Sequence, residues 1–220
     1  MSMSFCSLSC EPLEPRSLFS VTLSNGILTI VGTGGHDLIE VQNRADKGEV
    51  RVEMNGTERE FAKADVTRIV IFGEAGNDRI GFSGRDGGLN IPGYIEGGNG
   101  HDRIEGGEGN DVILGGFGND VIEGKSSRDT IVGDEGNDII QGGGGNDGLF
   151  GAAGNDLIEG NIGNDYIEGG AGDDDVRGNG GFDTVLGNRG NDDFDNSDGF
   201  LVEIKDRASD DDGPNALPFF

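Results

Sequence analysis

The stretch GGNGHDRIE-GGEGNDVIL-GGFGNDVIE, Gly97 to Glu123, decides how the chain must be read. It is three nine-residue units laid end to end, each Gly-Gly-x-Gly-x-Asp-x-apolar-x. The nonapeptide continues without insertion from Gly97 to Asp195, eleven units in all. Two isolated copies lie upstream, GTGGHDLIE from Gly32 and GEAGNDRIG from Gly73. Across these thirteen units position 1 is Gly, position 6 is Asp and position 8 is apolar, mostly Ile. Position 4 is Gly everywhere except at Ser127. Self-similarity at a fixed short period is the signature of a stacked, repetitive architecture.

The residue types at each position suggest how one unit folds. Gly takes positive φ cheaply and lets backbones approach closely, so positions 1 to 6 are expected to be a turn. Position 5 is Asn in eight units, and Asn tolerates the left-handed conformation better than most residues. Positions 7 to 9 read as a three-residue strand with position 8 pointing inward. One unit cannot bury anything alone. Two units make a coil with a turn at each edge, and stacked coils bury the position-8 column Ile104, Ile113, Ile122, Ile131, Ile140, Leu149, Ile158, Ile167, Val176, Val185, Phe194.

Composition limits the partners. With 42 acidic and 16 basic residues in 220, the formal net charge is -26. Nucleic acid and anionic membrane attract basic surfaces, so both are unexpected partners. Charge of this size opposes compaction, and the folded state needs something positive to offset it. The 44 glycines, the absence of Trp and 6% aromatics leave little for a conventional core. Cys6 and Cys10 are the only cysteines, too few for a disulfide framework. No run approaches the apolar length of a membrane span. The start MSMSFCSLSCEPLEPR has no basic residue before Arg16, which argues against a cleaved secretory leader.

The chain divides by pattern into a tail at 1–19, a strand and hairpin region at 20–72 containing the isolated repeat 32–40, a first repeat and interrupting strand at 73–96, the eleven-unit array at 97–195, and a cap strand with an acidic tail at 196–220. Asn25-Gly26 and Asn55-Gly56 sit between β-rich runs, which predicts hairpins over Ser20 to Ile30 and Val50 to Phe61. Arg68 to Phe72, Leu89 to Glu96 and Leu201 to Ile204 read as further strands, with Pro92 favouring an edge or bulge.

With unit n over unit n+2, position-6 aspartates pile up along each edge at about 4.8 Å per coil. Unscreened carboxylates at that spacing repel. A hard cation between successive turns would resolve this, and Ca²⁺ accepts 6 to 8 oxygens, carboxylate and carbonyl alike, in adaptable geometry. Zinc or copper would call for His or Cys. The two histidines, His36 and His101, each stand at position 5 and read as turn residues.

The array resembles the hemolysin-type, or RTX, calcium-binding nonapeptide family. The resemblance covers residues 73 to 195 with one interruption. It implies an all-β fold, a right-handed parallel β-roll or calcium-stacked solenoid, with several Ca²⁺ ions held between adjacent turns. The ligands it implies are turn carbonyls and the carboxylates of Asp102, Asp111, Asp120, Asp129, Asp138, Asp147, Asp156, Asp165, Asp174, Asp183 and Asp192, with Asp78 and Asp37 as outlying copies. Eleven consecutive turns give nine turn-over-turn pairs, and nine divalent ions would bring 18 positive charges against -26. The unit GKSSRDTIV departs from the pattern at Lys125, Ser127 and Arg128. The sites sharing Asp129 are therefore expected to be weak, with a basic side chain partly replacing the ion. Leu13 to Phe19, LEPRSLF, is also similar to a short Leu-Glu-Pro-Arg-x-Leu-Leu element near the N-termini of some bacterial exported proteins.

The outward position 9 differs between the two sheets. One reads Glu105, Glu123, Gln141, Glu159, Arg177, Asp195; the other reads Leu114, Val132, Phe150, Glu168, Leu186. The second is a candidate surface for a protein or cell-surface partner. No His-Glu-x-x-His or Gly-x-Ser-x-Gly is present, so no enzyme activity is expected. The reading is a secreted or cell-surface calcium-binding protein whose array folds on binding Ca²⁺. The alternative is an adhesion or partner-binding module working through the apolar sheet.

Overall fold

The computed structural model describes residues 19–83 and 88–195 and the strand Val202–Ile204. The two cysteines, most of the Leu13 to Phe19 element and the acidic end lie outside the described residues. The described chain forms twenty strands in two ten-stranded sheets. Eight strands precede the regular array: β1 (Ser20–Ser24), β2 (Ile27–Val31), β3 (Leu38–Arg44), β4 (Glu49–Met54), β5 (Thr57–Ala62), β6 (Arg68–Phe72), β7 (Arg79–Ser83) and β8 (Gly93–Asn99). The first sheet runs β1-β2-β6-β8 and then takes every second strand of the array. The other runs β5-β4-β3-β7 and takes the alternate strands. From β6 onward successive strands thus alternate between sheets, and neighbours within a sheet are one coil apart.

The array strands pair in parallel with a constant 18-residue offset: Ile113 opposes Ile131, which opposes Leu149, in one sheet. Ile122 opposes Ile140 in the other. The position-8 side chains from Ile104 to Val185 are buried, and Phe194 packs partly buried at the end of the column. This column is the core. Each such side chain contributes about 1.5–3 kcal/mol when fully buried.

Strand length departs from the sequence expectation. Most array strands are six residues, as in Val112–Phe117, and run through positions 7 to 9 and on into positions 1 to 3. Position 1 is a second inward position, in the alternation iBiBie of buried and exposed residues. Its glycine adds no side chain, so a continuous six-residue strand looks like a three-residue strand in a hydrophobicity pattern. The tight turn is then positions 4 to 6.

The two Asn-Gly pairs close antiparallel hairpins, β1 with β2 and β4 with β5. Asn25 and Gly26 have φ of 51° and 81°, and Asn55 and Gly56 have 50° and 77°. Paired positive φ is the turn that matches the twist of hairpin strands. The upstream strands continue the roll: β2 pairs in parallel with β6, and β3 with β7. The expected strand from Leu89 begins only at Gly93. Pro92 has no N–H for the ladder, although its carbonyl accepts from Ile69 N–H at 3.1 Å. Leu89 and Ile91 are nevertheless buried.

Candidate metal centre

The turns at each edge stack into two columns. One carries Asp37, Asp78, Asp102, Asp120, Asp138, Asp156, Asp174 and Asp192; the other carries Asp111, Asp129, Asp147, Asp165 and Asp183. Within each column every aspartate backbone N–H up to the last donates to Oδ1 of the aspartate one coil further on. Asp102 N–H reaches Asp120 Oδ1 at 2.7 Å, and Asp120 N–H reaches Asp138 Oδ1 at 2.8 Å. All but Asp192 are buried, with Asp129 at 0% exposure and Asp102 at 2%. These are interior carboxylates, not a solvated acidic edge.

The second oxygen has a different fate. Oδ2 of Asp78, Asp102, Asp120, Asp129, Asp138, Asp147, Asp156, Asp165 and Asp174 is buried with no hydrogen-bond partner. Buried polar groups are almost always paired, so nine repeats of one exception mark one unmet chemical need. Burial pushes these carboxyls above their ordinary 3.8: Asp78, Asp120 and Asp165 to about 6, Asp138 and Asp174 to about 7, and Asp129 to about 8. Desolvation is the largest cause, opposed by the backbone N–H bond and reinforced by neighbouring aspartates of the column.

Peptide oxygens complete each gap. A Cβ on Gly97 would stand 2.5 Å from Asp102 Oδ2 and 2.6 Å from the carbonyl oxygen of Gly115, one coil on. A Cβ on Gly118 would run into the carbonyl oxygen of Gly100, one coil back. Only glycine leaves this oxygen-lined space open. Among the described residues no three His, Cys, Asp or Glu side chains converge as a metal-holding group. The oxygens gathered there include the carboxylate Oδ2 of Asp102 and the carbonyl oxygens of Gly100 and Gly115. Such an all-oxygen set fits a hard divalent cation of Ca²⁺ type.

Position 5 has a role that the sequence reading missed. None of its residues is in the left-handed region; positions 2 and 4 are, as at Lys125 (φ 82°), Ser127 (77°) and Gly118 (125°). The position-5 side chain instead accepts a hydrogen bond from the position-5 N–H one coil on. Asn137 N–H donates to Asn119 Oδ1 at 3.0 Å, and Asn155 N–H to Asn137 Oδ1 at 2.8 Å. This ladder runs opposite to the aspartate ladder. His36 and His101 take the same place, accepting through Nδ1 from Asn77 at 2.6 Å and Asn119 at 2.7 Å. An acceptor atom bonded to the γ-carbon is the common signal in Asn and His.

The two basic side chains of the GKSSRDTIV unit act on different groups. Lys125 Nζ lies 2.8 Å from Glu123 and 3.4 Å from Glu105, on the outer face of its sheet. Asp129 Oδ2 has no hydrogen-bond partner, while across the same gap burial raises the Asp147 carboxyl and the Arg128 charge opposes that rise. Lys125 is at position 2, whose side chain leaves the turn outward, and this sends its charge to the glutamate row. The apolar row is in register on the opposite sheet: Leu114 opposes Val132, which opposes Phe150, and Glu168 opposes Leu186.

The fold and the oxygen-lined gaps define a class, a parallel β-roll with stacked, oxygen-lined turns at both edges. The family model of the RTX calcium-binding nonapeptide repeat, in four copies, matches residues 70–84, 94–122, 123–158, 150–185 and 168–200. More than half of the chain is covered, and the protein belongs to this calcium-binding repeat family. No curated protein gives a significant match to the chain. No helix among the described residues is long and apolar enough to cross a membrane.

Proposed function

We propose that the protein is a secreted or cell-surface structural module whose roll folds when Ca²⁺ enters the gaps between turns. The observation that carries this reading is the set of nine buried, partnerless Oδ2 atoms. Each unpaired buried polar atom costs about 1–3 kcal/mol, more when charged. Nine of them rival the net stability of an ordinary domain, about 5–15 kcal/mol. Without cations the array is expected to be loose, and cation binding becomes folding free energy. The gaps proposed to take ions are those above the nine orphaned oxygens, from Asp78/Asp102 to Asp174/Asp192 on one edge and from Asp129/Asp147 to Asp165/Asp183 on the other. Ca²⁺ supplies charge neutralisation and coordination there. The chain supplies the aspartate Oδ2 atoms and carbonyl oxygens, held in place by the Oδ1 ladder.

Family membership supports export, since such repeats are typical of secreted proteins. Millimolar extracellular calcium would set a chain that remains loose where calcium is scarce. No catalytic role is proposed. Circular dichroism against Ca²⁺, with Mg²⁺ as control, tests the reading. β-signal should rise at millimolar Ca²⁺ and not with Mg²⁺; an unchanged spectrum would overturn it.

A second reading, an adhesion or partner-binding module, is favoured by the apolar row. Phe150 packs against Tyr166 with ring centroids 5.9 Å apart, and Leu114, Val132 and Phe150 make a continuous half-buried stripe. Leu114→Asp with Phe150→Asp should weaken calcium-dependent self-association or partner binding. Unchanged association would dismiss this surface.

A further inference from the structure

Two turns break the pattern, and they are the first turn of each column. In every other described unit, positions 2 and 4 are both left-handed; Thr33, Gly35, Gly107 and Gly109 are not. The altered turn redirects the position-2 N–H. Thr33 N–H donates to Asp37 Oδ2 at 2.6 Å, and Gly107 N–H donates to Asp111 Oδ2 at 2.8 Å. The oxygen left without a partner elsewhere is satisfied here by the protein itself.

Each of these turns rests on a different segment. Under Asp37 lies the β4–β5 hairpin. Asn55 Nδ2 donates to Asp37 Oδ1 at 2.6 Å, and Asn55 Oδ1 accepts from Leu38 N–H at 2.9 Å. The Thr33 hydroxyl also reaches Asp37 Oδ2 at 3.0 Å. Under Asp111 lies the segment that interrupts the repeats. Gly93 N–H donates to Asp111 Oδ1 at 2.7 Å, and Glu108 N–H donates to the Leu89 carbonyl at 3.3 Å. Leu89 and Ile91 anchor that segment in the core. The interruption in the nonapeptide sequence thus falls where the second column must begin.

We infer that Asp37 and Asp111 are cap residues and not calcium ligands, and that the strands β1 to β7 form a calcium-independent cap on which the calcium-dependent roll is built. The inference rests on the calcium-roll reading above. In this arrangement the gaps Asp37/Asp78 and Asp111/Asp129 are closed by N–H groups, and ion binding starts at Asp78/Asp102 and Asp129/Asp147. The cap also has what the array lacks, antiparallel hairpins, and strands that bury two or more apolar side chains, such as Leu28 with Ile30 and Val50 with Val52 and Met54, where an array strand buries one. Local hairpin contacts and apolar burial can hold it without a ligand.

Two measurements on the full chain test this. The first is the number of Ca²⁺ ions bound at saturation, by equilibrium dialysis, for the parent, Asp37→Asn, Asp111→Asn and Asp138→Asn. The cap variants should keep the parent number, and Asp138→Asn should lose at least one ion. If Asp37→Asn or Asp111→Asn loses ions as Asp138→Asn does, the cap assignment is overturned. The second is amide exchange in EDTA, which does not depend on these variants folding well. Residues 20–62 should exchange at least tenfold more slowly than residues 97–190. Equal exchange in EDTA, with calcium still protecting the array, would overturn the cap while leaving the calcium roll intact. Absence of calcium protection anywhere would instead overturn the roll reading. Asn55→Ala should lower protection of residues 38–62 in EDTA without changing the ion count, and a changed count would contradict the inference.

Discussion

Asp138→Asn should act with opposite sign in the presence and absence of calcium. Asp138 sits mid-column, with Oδ1 accepting from Asp120 N–H at 2.8 Å and Oδ2 buried without a partner. Asn keeps an acceptor for Asp120 and removes the charge. In EDTA at pH 8 the native carboxylate carries a penalty, because burial first and the Asp120 and Asp156 charges next raise it from 3.8 to about 7 in the folded chain. Each pH unit between those values is about 1.4 kcal/mol, so the relief is on the order of 4 kcal/mol. With calcium the gaps on either side of Asp138 lose a charged oxygen. For sites of about 10⁻⁴ to 10⁻³ M at about 10 mM Ca²⁺, each lost ion removes about 1.4–2.7 kcal/mol of linkage. Melts followed by circular dichroism at pH 8 read both effects. The variant should gain residual β-structure in EDTA and melt lower than the parent in calcium. Equal destabilisation in both buffers would show an ordinary structural carboxylate and refute the reasoning.

The remaining predictions concern pH, backbone and core. Raised carboxyl pKa values mean that the calcium-free fold binds more protons than the unfolded chain, so its stability is fully present below 3.8 and is lost as pH rises through about 6 to 8. Acidifying from pH 8 to 5 in EDTA should therefore increase β-signal, and a decrease would contradict the burial. Gly118→Ala forces a Cβ toward the Gly100 carbonyl at φ 125°, and should remove at least one ion and lower the calcium-loaded melting temperature. Calorimetric titration would count the ions. Ile122→Ala empties a fully packed column position and should cost about 2–5 kcal/mol in calcium, measured by denaturant unfolding. Lys125→Ala breaks exposed contacts to Glu123 and Glu105 only, so its cost should stay below about 1 kcal/mol with the ion count unchanged.

Much of this architecture was legible because each unit repeats the same constraint. Period nine with one apolar residue fixes which side chains stack, and the register Ile122 to Ile140 follows from counting 18 residues. The aspartates were legible as a set for the same reason. Hydrogen-bond direction was not. Nothing in the residue types says that Oδ1 of Asp120 serves Asp102 N–H while its Oδ2 stays unpaired, since both oxygens belong to one side chain. Inward glycine at position 1 was also invisible, because a hydrophobicity pattern registers side chains and glycine has none. Asn at position 5 suggested a left-handed turn, whereas it is the acceptor of a ladder.

The position-6 aspartate has two tasks that depend on each other. Oδ1 ties the N–H one coil back and thereby sets the spacing of the turns. That same bond helps hold the carboxylate inside, where its other oxygen cannot reach water. Stacking the turns therefore creates the unmet charge, and meeting that charge with a cation stabilises the stacking. An isolated turn would gain neither. Cooperative filling of neighbouring gaps follows, because an ion above Asp138 orders the turn that also forms the floor of the next gap. A steep calcium dependence is then a property of the ladder, and it should flatten if a mid-column turn such as that of Asp138 is disabled.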